Sequence, residues 1–278
     1  MNYSSDRITY IRSSTGWKVI DVKELYRYKD LLYFLTVRGI KAKYAQSVLG
    51  VGWAILQPLI QTIVFTVIFG NLAKLSSDGV PYVLFSFTAM VPWNYFSDIL
   101  TESSNSLVQN RNMLSKVYFP RLVLPFSAVL SKLLDFVIGL VVLIIFFIYY
   151  QFSPAIETIY IFPLLMLILI LTSLGTGMIL SAMAVQYRDV KYAMTFLVRI
   201  LMYSAPVVYS ISIIPTQYQY LYALNPMVGV IEGMRASFLN TKDIPWDIIL
   251  IGGVVALLLF IFGAFYFKRM ERRFADIA

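Results

Sequence analysis

The chain has 278 residues, 59% of them hydrophobic and 14% charged, with a formal net charge of +8. A soluble domain carries about 45–50% apolar and about 25% charged residues, so this surplus cannot be folded inside one globule, and the chain reads as an all-α integral membrane protein with a single membrane domain. Cysteine and histidine are both absent, which excludes disulfides, thiolate nucleophiles and His-ligated metals and removes the commonest general base, so no metal site and no catalytic residue are expected.

The first thirty residues are mixed polar and lack an apolar core of about 7–15 residues, so no secretory signal is expected. Residues 1–49 read as a cytoplasmic segment. Within it, Leu25, Leu32, Leu35 and Ile40 interleave with Lys23, Arg27, Lys29, Arg38, Lys41 and Lys43 at helical spacing. That pattern predicts an amphipathic helix lying in the membrane interface, either as a plain anchor or as a docking or gating element.

A helix needs about 20 mostly apolar residues to cross a hydrocarbon layer of about 30 Å. Six stretches between 50 and 267 qualify: 50–72, 80–102, 122–149, 157–185, 193–214 and 246–267. The third and fourth exceed the need and are expected to tilt, kink or project, with Pro125 and Pro163 as candidate kinks. Pro206 interrupts the fifth. Between spans two and three, "ESSNSLVQNRNMLSKVYFPR" is basic yet keeps Leu107, Val108, Met113, Leu114 and Val117, which predicts a short amphipathic helix with a contact surface. Between spans five and six, residues 215–245 are apolar and broken at Asn225-Pro226, predicting two short outer, re-entrant helices. "SFTAM" (86–90) and "LGTGM" (174–178) suit close helix packing.

Lys and Arg set the orientation. Eighteen lie before the first span, in the 2–3 and 4–5 connections and in the basic tail 268–278, while only Lys74, Arg235 and Lys242 lie on the other side. By the positive-inside rule both termini are cytoplasmic, and the basic balance needs no nucleic acid to explain it.

No G-x-x-x-x-G-K-[ST] loop is present to cradle the phosphates of ATP, so an ion gradient or a separate protein must supply energy. Ionisable side chains inside spans are costly. Lys132 and Asp135, three apart, can pair on one helix face; Asp98 and Glu102 lie at a depth comparable with Arg199 and can pair across helices. Such charges either fix packing or meet an anionic head group or an ion path. The carboxylates and broken helices that gradient-driven transporters repeat in related halves are not seen. Trp53, Tyr82, Trp93, Tyr95, Tyr203, Tyr209, Tyr218, Tyr220 and Tyr222 form either an interfacial belt or, where they cluster on the outer side, a path for sugar rings. An enzyme acting on lipid-linked glycans would have to use Asp98, Glu102 or Glu232.

Three segments, "YFLTVRGIKAKYAQSVLGVGWAILQPLIQTIVFTVIFG" (33–70), "RDVKYAMTFLVRILMYSAPVVYS" (188–210) and "LNPMVGVIEGMRASFL" (224–239), resemble the membrane subunit of type-2 ABC exporters. The nearest subfamily is the polysaccharide and polyol phosphate export permeases, which serve O-antigen, capsule or teichoic acid. The resemblance implies a homodimer in the bacterial inner membrane with two copies of a separate ATPase that binds ATP and Mg. It also implies a lipid-linked polysaccharide substrate, entering near the cytoplasmic interface and leaving through a channel at the dimer interface; a permease for another lipophilic compound is the alternative. Carried onto this chain, it makes Arg38, Lys41 and Lys43 candidates for the lipid head group and Trp93, Tyr95, Tyr203 and Tyr209 candidates for the channel lining. Asn110, Arg111, Met113, Leu114, Arg188, Asp189 and Lys191 become candidates for coupling to the ATPase.

Overall fold

The computed structural model describes residues 21–45, 47–114, 116–187 and 189–271. Its described residues form eleven α-helices and no strand. Two short N-terminal helices, α1 (Val22–Arg27) and α2 (Lys29–Tyr44), meet at Tyr28. The Asp21 carboxylate caps α1 by accepting the Glu24 N–H at 3.1 Å. Helix α3 (Gly52–Phe65) continues as a π-helical stretch to Leu72. There follow α4 (Tyr82–Gln109), α5 (Arg111–Leu114), α6 (Val123–Tyr150), α7 (Thr158–Gln186), α8 (Asp189–Tyr203), α9 (Thr216–Tyr222), α10 (Pro226–Leu239) and α11 (Trp246–Glu271).

Among the described residues, four helices are long and apolar enough to cross a membrane: Gly52–Leu72, Val123–Tyr150, Thr158–Gln186 and Trp246–Glu271. The other two expected spans differ for distinct reasons. Helix α4 has 28 residues but is polar in its second half; it lies at the centre, packed by α3, α6, α7, α8 and α10, so neighbouring helices rather than lipid cover it. Most of its serine and threonine hydroxyls turn back on their own helix, as in Ser86 to the Tyr82 carbonyl and Thr88 to Leu84, both at 2.8 Å, which satisfies them without water; the buried Ser103 hydroxyl has no partner among the described residues.

Helix α8 is shorter than the expected 193–214. It starts at Asp189 and ends at Tyr203, 15 residues, or about 22 Å at 1.5 Å per residue. Pro206 explains the stop, since it cannot donate an N–H and its ring clashes with the preceding turn. The chain then runs non-helically through Ala205, Val207 and Val208, all buried, before a single 3-10 turn at Ile211–Ile213. Pro125 falls in the first turn of α6, where its missing N–H removes no helical bond; Pro163 lies inside α7.

Helices α7 and α11 share the most extensive helix contact. Gly175 and Gly263 make it possible: a Cβ on Gly175 would sit 2.6 Å from the Leu259 carbonyl carbon, and one on Gly263 would sit 2.3 Å from the Gly175 oxygen. The two backbones touch there. Residues 215–245 contain two helices, α9 and α10. Asn225 caps α10 through the Met227 N–H at 3.1 Å, with Pro226 in the first turn, and α10 is buried against α4, α7 and α11.

The apolar interior falls into a large cluster built on α4, α6, α7 and α10, a second near the N-terminal helices and a small third of Ile211, Ala223, Val228 and Ile248. The second cluster gathers Leu35 of α2, Leu107, Phe119, Leu122 and, from the end of α11, Phe267 and Met270, with Leu25, Leu31, Leu32, Met113 and Leu114 packed on it. Arg121 donates to the Glu271 carbonyl oxygen across this cluster.

Candidate functional site

A cavity of about 220 Å³ opens where α3, α4, α6 and α8 approach one another. Its two ends differ in chemistry. Lys43, Asp98, Lys132, Asp135 and Arg199 form a charged end; Trp53, Gln57, Gln61, Trp93, Asn94 and Tyr95 form an aromatic and amide end.

The charged end is wired differently from the pairs suggested by spacing. Lys132 and Asp135 share α6 but do not pair. Instead α2 reaches across, and Lys43 Nζ donates to Asp135 Oδ2 at 2.7 Å while the Tyr44 hydroxyl donates to Asp135 Oδ1. Asp98 faces Lys43 at 3.6 Å and Lys132 at 4.0 Å, both beyond ordinary hydrogen-bond length. It does not pair with Arg199, which lines the same cavity from α8 without an ion pair among the described residues. The reason is reach: α2 docks along α6 and delivers a flexible lysine from outside the spans, which pairing rules confined to spans leave out. Burial alone would lower the Lys43 pKa, but the Asp135 hydrogen bond and the charges of Asp98 and Asp135 outweigh it and raise it above the ordinary value. Lys43 therefore stays a cation.

Glu102 turns the other way, into a smaller hollow of about 90 Å³ with Arg38 and Asn110. There Arg38 Nη2 donates to Asn110 Oδ1 at 2.9 Å, joining a head-group candidate to a coupling candidate. Lys41 is exposed. Arg111 opens α5, whereas Met113 and Leu114 turn inward onto the second apolar cluster. Of the apolar side chains around this connection, Val108, Val117 and Tyr118 stay exposed. Asp189 is the first residue of α8, where a carboxylate suits the positive end of the helix dipole; Lys191 is exposed in the same first turn. Arg188 lies outside the described residues.

The four channel candidates separate into two places. Trp93 and Tyr95 are buried in α4 and edge the cavity, the Tyr95 hydroxyl donating to the Val129 carbonyl at 3.3 Å. Tyr203 and Tyr209 lie at the far end of α8, where Tyr209 donates to the Tyr203 carbonyl at 2.9 Å and meets the Tyr222 hydroxyl at 2.6 Å.

Two features escaped the sequence reading. Trp53, Gln57 and Gln61 recur at i, i+4 and i+8 and lay a polar stripe along one face of an apolar span. The buried Gln61 Oε1 has no hydrogen-bond partner among the described residues. The stripe was legible as two amides in a run of aliphatics. The second is a buried pair, Glu232 and Arg235, 4% and 3% exposed, joined at 3.0 Å. Arg235 also donates to the carbonyls of Val207 at 2.7 Å, Tyr209 at 3.1 Å and Phe85 at 3.2 Å, its guanidinium lying 3.5 Å from the centre of the Phe85 ring. The Tyr82 hydroxyl donates to the Val208 carbonyl at 2.5 Å. Together they satisfy the backbone that Pro206 releases from helix, which buried non-helical chain requires. On the same side, Lys242 Nζ bridges Asp78 at 2.7 Å and the Ser210 hydroxyl at 2.8 Å.

Long apolar helices packed around a central helix that is polar in its second half, with a charged and amide-lined cavity, are the build of a membrane protein with a polar pocket between its helices. The chain belongs to the ABC-2 type transporter family, whose profile matches residues 30–239. It is 26% identical over 248 residues to the O-antigen export system permease protein RfbA of Klebsiella pneumoniae, covering 89% of this chain and 95% of the relative. Against the protein of the same name from Myxococcus xanthus it is 29% identical over 257 residues, 92% and 98% of the two chains. The polysialic acid transport protein KpsM of Escherichia coli is 24% identical over 211 residues, 73% and 79%. The chain is thus a transporter permease and not an enzyme; in this family ATP hydrolysis lies in a separate subunit.

Proposed function

We propose that the chain is the membrane subunit of an ATP-driven exporter of lipid-linked polysaccharide in the bacterial inner membrane, with six spans and both termini cytoplasmic. The spans are α3, α4, α6, α7, α8 with the broken segment after it, and α11; residues 1–49 and 268–278 flank them on the cytoplasmic side. The observation that carries this reading is the cavity. It holds five charged side chains and three amides, all but Lys43 carried by the proposed spans, a cost that is retained for a polar passenger. A phosphorylated lipid head group suits the cations and the first sugars suit Trp53, Trp93 and the amides, since pyranose faces stack on aromatic rings while hydroxyls bond to amides. The names of the relatives supply the polysaccharide.

The chain works as a homodimer. On α8 only Met194 is buried, and α3 with its π-helical continuation exposes Trp53, Ile60, Ile63 and Val67, so a second copy seated on these two helices would wall the cavity into a channel. Tyr203 and Tyr209 lie further along that path. Two copies of a separate ATPase, which binds ATP and Mg, engage Asn110, Arg111, Met113 and Leu114 and the turn at Arg188, Asp189 and Lys191, and Arg38, Lys41 and Lys43 attract the head group at the membrane surface.

Deleting the gene should abolish surface polysaccharide, measured by immunoblot of cell extracts, and the wild-type gene should restore it. Lys132→Ala and Arg199→Ala should restore little while reaching the membrane in normal amount. Full export by both variants would remove the cavity from the path. Asp189→Ala should insert normally yet lower export and uncouple it from ATP hydrolysis by the complex; unchanged export would leave the turn a plain connection.

A further inference from the structure

The stripe Trp53, Gln57 and Gln61 on α3 continues at the same spacing to Phe65 and Phe69. These two rings pack edge to face, 5.7 Å between centres, and rest half-buried on the large apolar cluster. The amide face of the cavity thus ends in an aromatic pair. At that point the helix changes its winding: Thr66–Leu72 is π-helical, and the Ala73 N–H reaches back five residues to the Ile68 carbonyl at 2.9 Å. Such winding is rare in proteins, and here a contact keeps it. Gly70 lies against Tyr82, where a Cβ would come 2.9 Å from the ring carbon Cγ, and the Tyr82 hydroxyl is fixed on the Val208 carbonyl. Little else holds this span, since only 11% of its apolar stretch is buried, against 28–56% in the other three helices of that kind.

The connection that follows is strained and tied. Lys74 and Asp78 have φ of 50° and 56°, a left-handed conformation unfavourable for any residue with a Cβ. Asp78 Oδ2 meets Lys242 Nζ at 2.7 Å, and the same ammonium donates to the Ser210 hydroxyl at 2.8 Å. One side chain therefore joins the connections before α4, after α8 and after α10.

We infer that the π-helical end of this span is a hinged closure of the cavity and that Lys242 is its catch. This rests on the exporter reading, which makes this end the outer one. While the ion pair holds, the strained turn at Asp78 is kept and Phe65 and Phe69 stay on the cluster. When it opens, the strain relaxes and residues 66–72 rewind as α-helix. Losing the one extra residue of the wide turn rotates what lies beyond it by about 100°, the step of one residue at 3.6 per turn. That rotation carries Phe69 off the cluster and Gly70 off Tyr82, and the amide stripe then leads out of the cavity.

The test uses the full chain with its ATPase in spheroplasts. The chain has no cysteine, so Gln61→Cys, one turn inside the aromatic pair, supplies its one thiol for a membrane-impermeant methanethiosulfonate added from outside. Adding Lys242→Met should speed labelling roughly three- to tenfold, the scale of one partly exposed ion pair with a charged hydrogen bond, while Lys242→Arg should leave it near the starting rate. Ser237→Cys, fully buried on α10, should stay unlabelled with either residue at 242. Joining Asp78→Cys to Lys242→Cys with a short bis-methanethiosulfonate should stop export, with ATP hydrolysis continuing, and a reductant should restore it. The inference is overturned by an unchanged Gln61→Cys rate in Lys242→Met, by labelling of Ser237→Cys in that variant, which would mark general loosening, or by full export through the joined pair. It fails separately from the exporter reading: a deletion strain that keeps its surface polysaccharide would sink that reading, whereas the labelling rates decide the hinge without any export.

Discussion

A chain in which Arg235 is replaced by methionine is expected to lose most of its folded population in the membrane. The substitution strands the Glu232 carboxylate, 4% exposed, beside the carbonyls of Phe85, Val207 and Tyr209 that Arg235 now serves. Removing one partner of a buried ion pair costs about 3–5 kcal/mol, against a total stability of about 5–15 kcal/mol for a typical fold. Membrane abundance and the unfolding midpoint in detergent should both fall. Adding Glu232→Gln should recover part of the loss, because the uncompensated charge goes while the unserved carbonyls remain. A wild-type unfolding midpoint in the single variant would show that the segment after α8 is held by other means.

The second large effect is expected at Gly263. Even alanine there places a Cβ 2.3 Å from the Gly175 oxygen and 3.1 Å from its Cα, and what must give way is backbone, not the end of a side chain. Overpacking in a fitted interior costs about 1–3 kcal/mol, and leucine at this contact should exceed that range by forcing α11 off α7. Gly175→Leu should do the same from the other side, against Leu259 and Phe260. Because neither glycine meets a side chain of the other, no smaller residue elsewhere can restore the fit. Protease sensitivity of both variants in native membranes would report the separation, and a wild-type cleavage pattern in Gly263→Leu would contradict the contact.

Much of the architecture was legible because hydrocarbon imposes a simple rule of length and polarity. Spans one, three, four and six follow their apolar runs to within a few residues, and Pro206 and Asn225-Pro226 marked the two breaks around the outer loop. Helix α4 shows where that rule weakens. A helix wrapped by others need not be apolar, so its extension to Gln109 through Ser103, Ser104 and Ser106 left no hydropathy signal. The site was half legible. Asp98, Lys132, Asp135 and Arg199 do line one cavity, but their pairing depended on Lys43 arriving from outside the spans, a contact 92 residues away in sequence from Asp135. Glu232 and Arg235 were read one at a time, as a spare carboxylate and an outer-loop charge. Their spacing of three on an apolar helix signalled a pair, but nothing in the local sequence pointed to the distant carbonyls that occupy the rest of the guanidinium.

The separate apolar cluster at the N-terminal end has a mechanical consequence. It welds α1, α2, α5 and the end of α11 into one stiff plate, fastened further by Arg121 on the Glu271 carbonyl. Helix α8, by contrast, fully buries only Met194 and rests on the large cluster through the partly buried Val190, Val198, Leu201 and Met202. A partner pressing near α5 would meet a contact shared by several elements, whereas one pressing at Asp189 would meet the start of a helix with a single fully buried side chain.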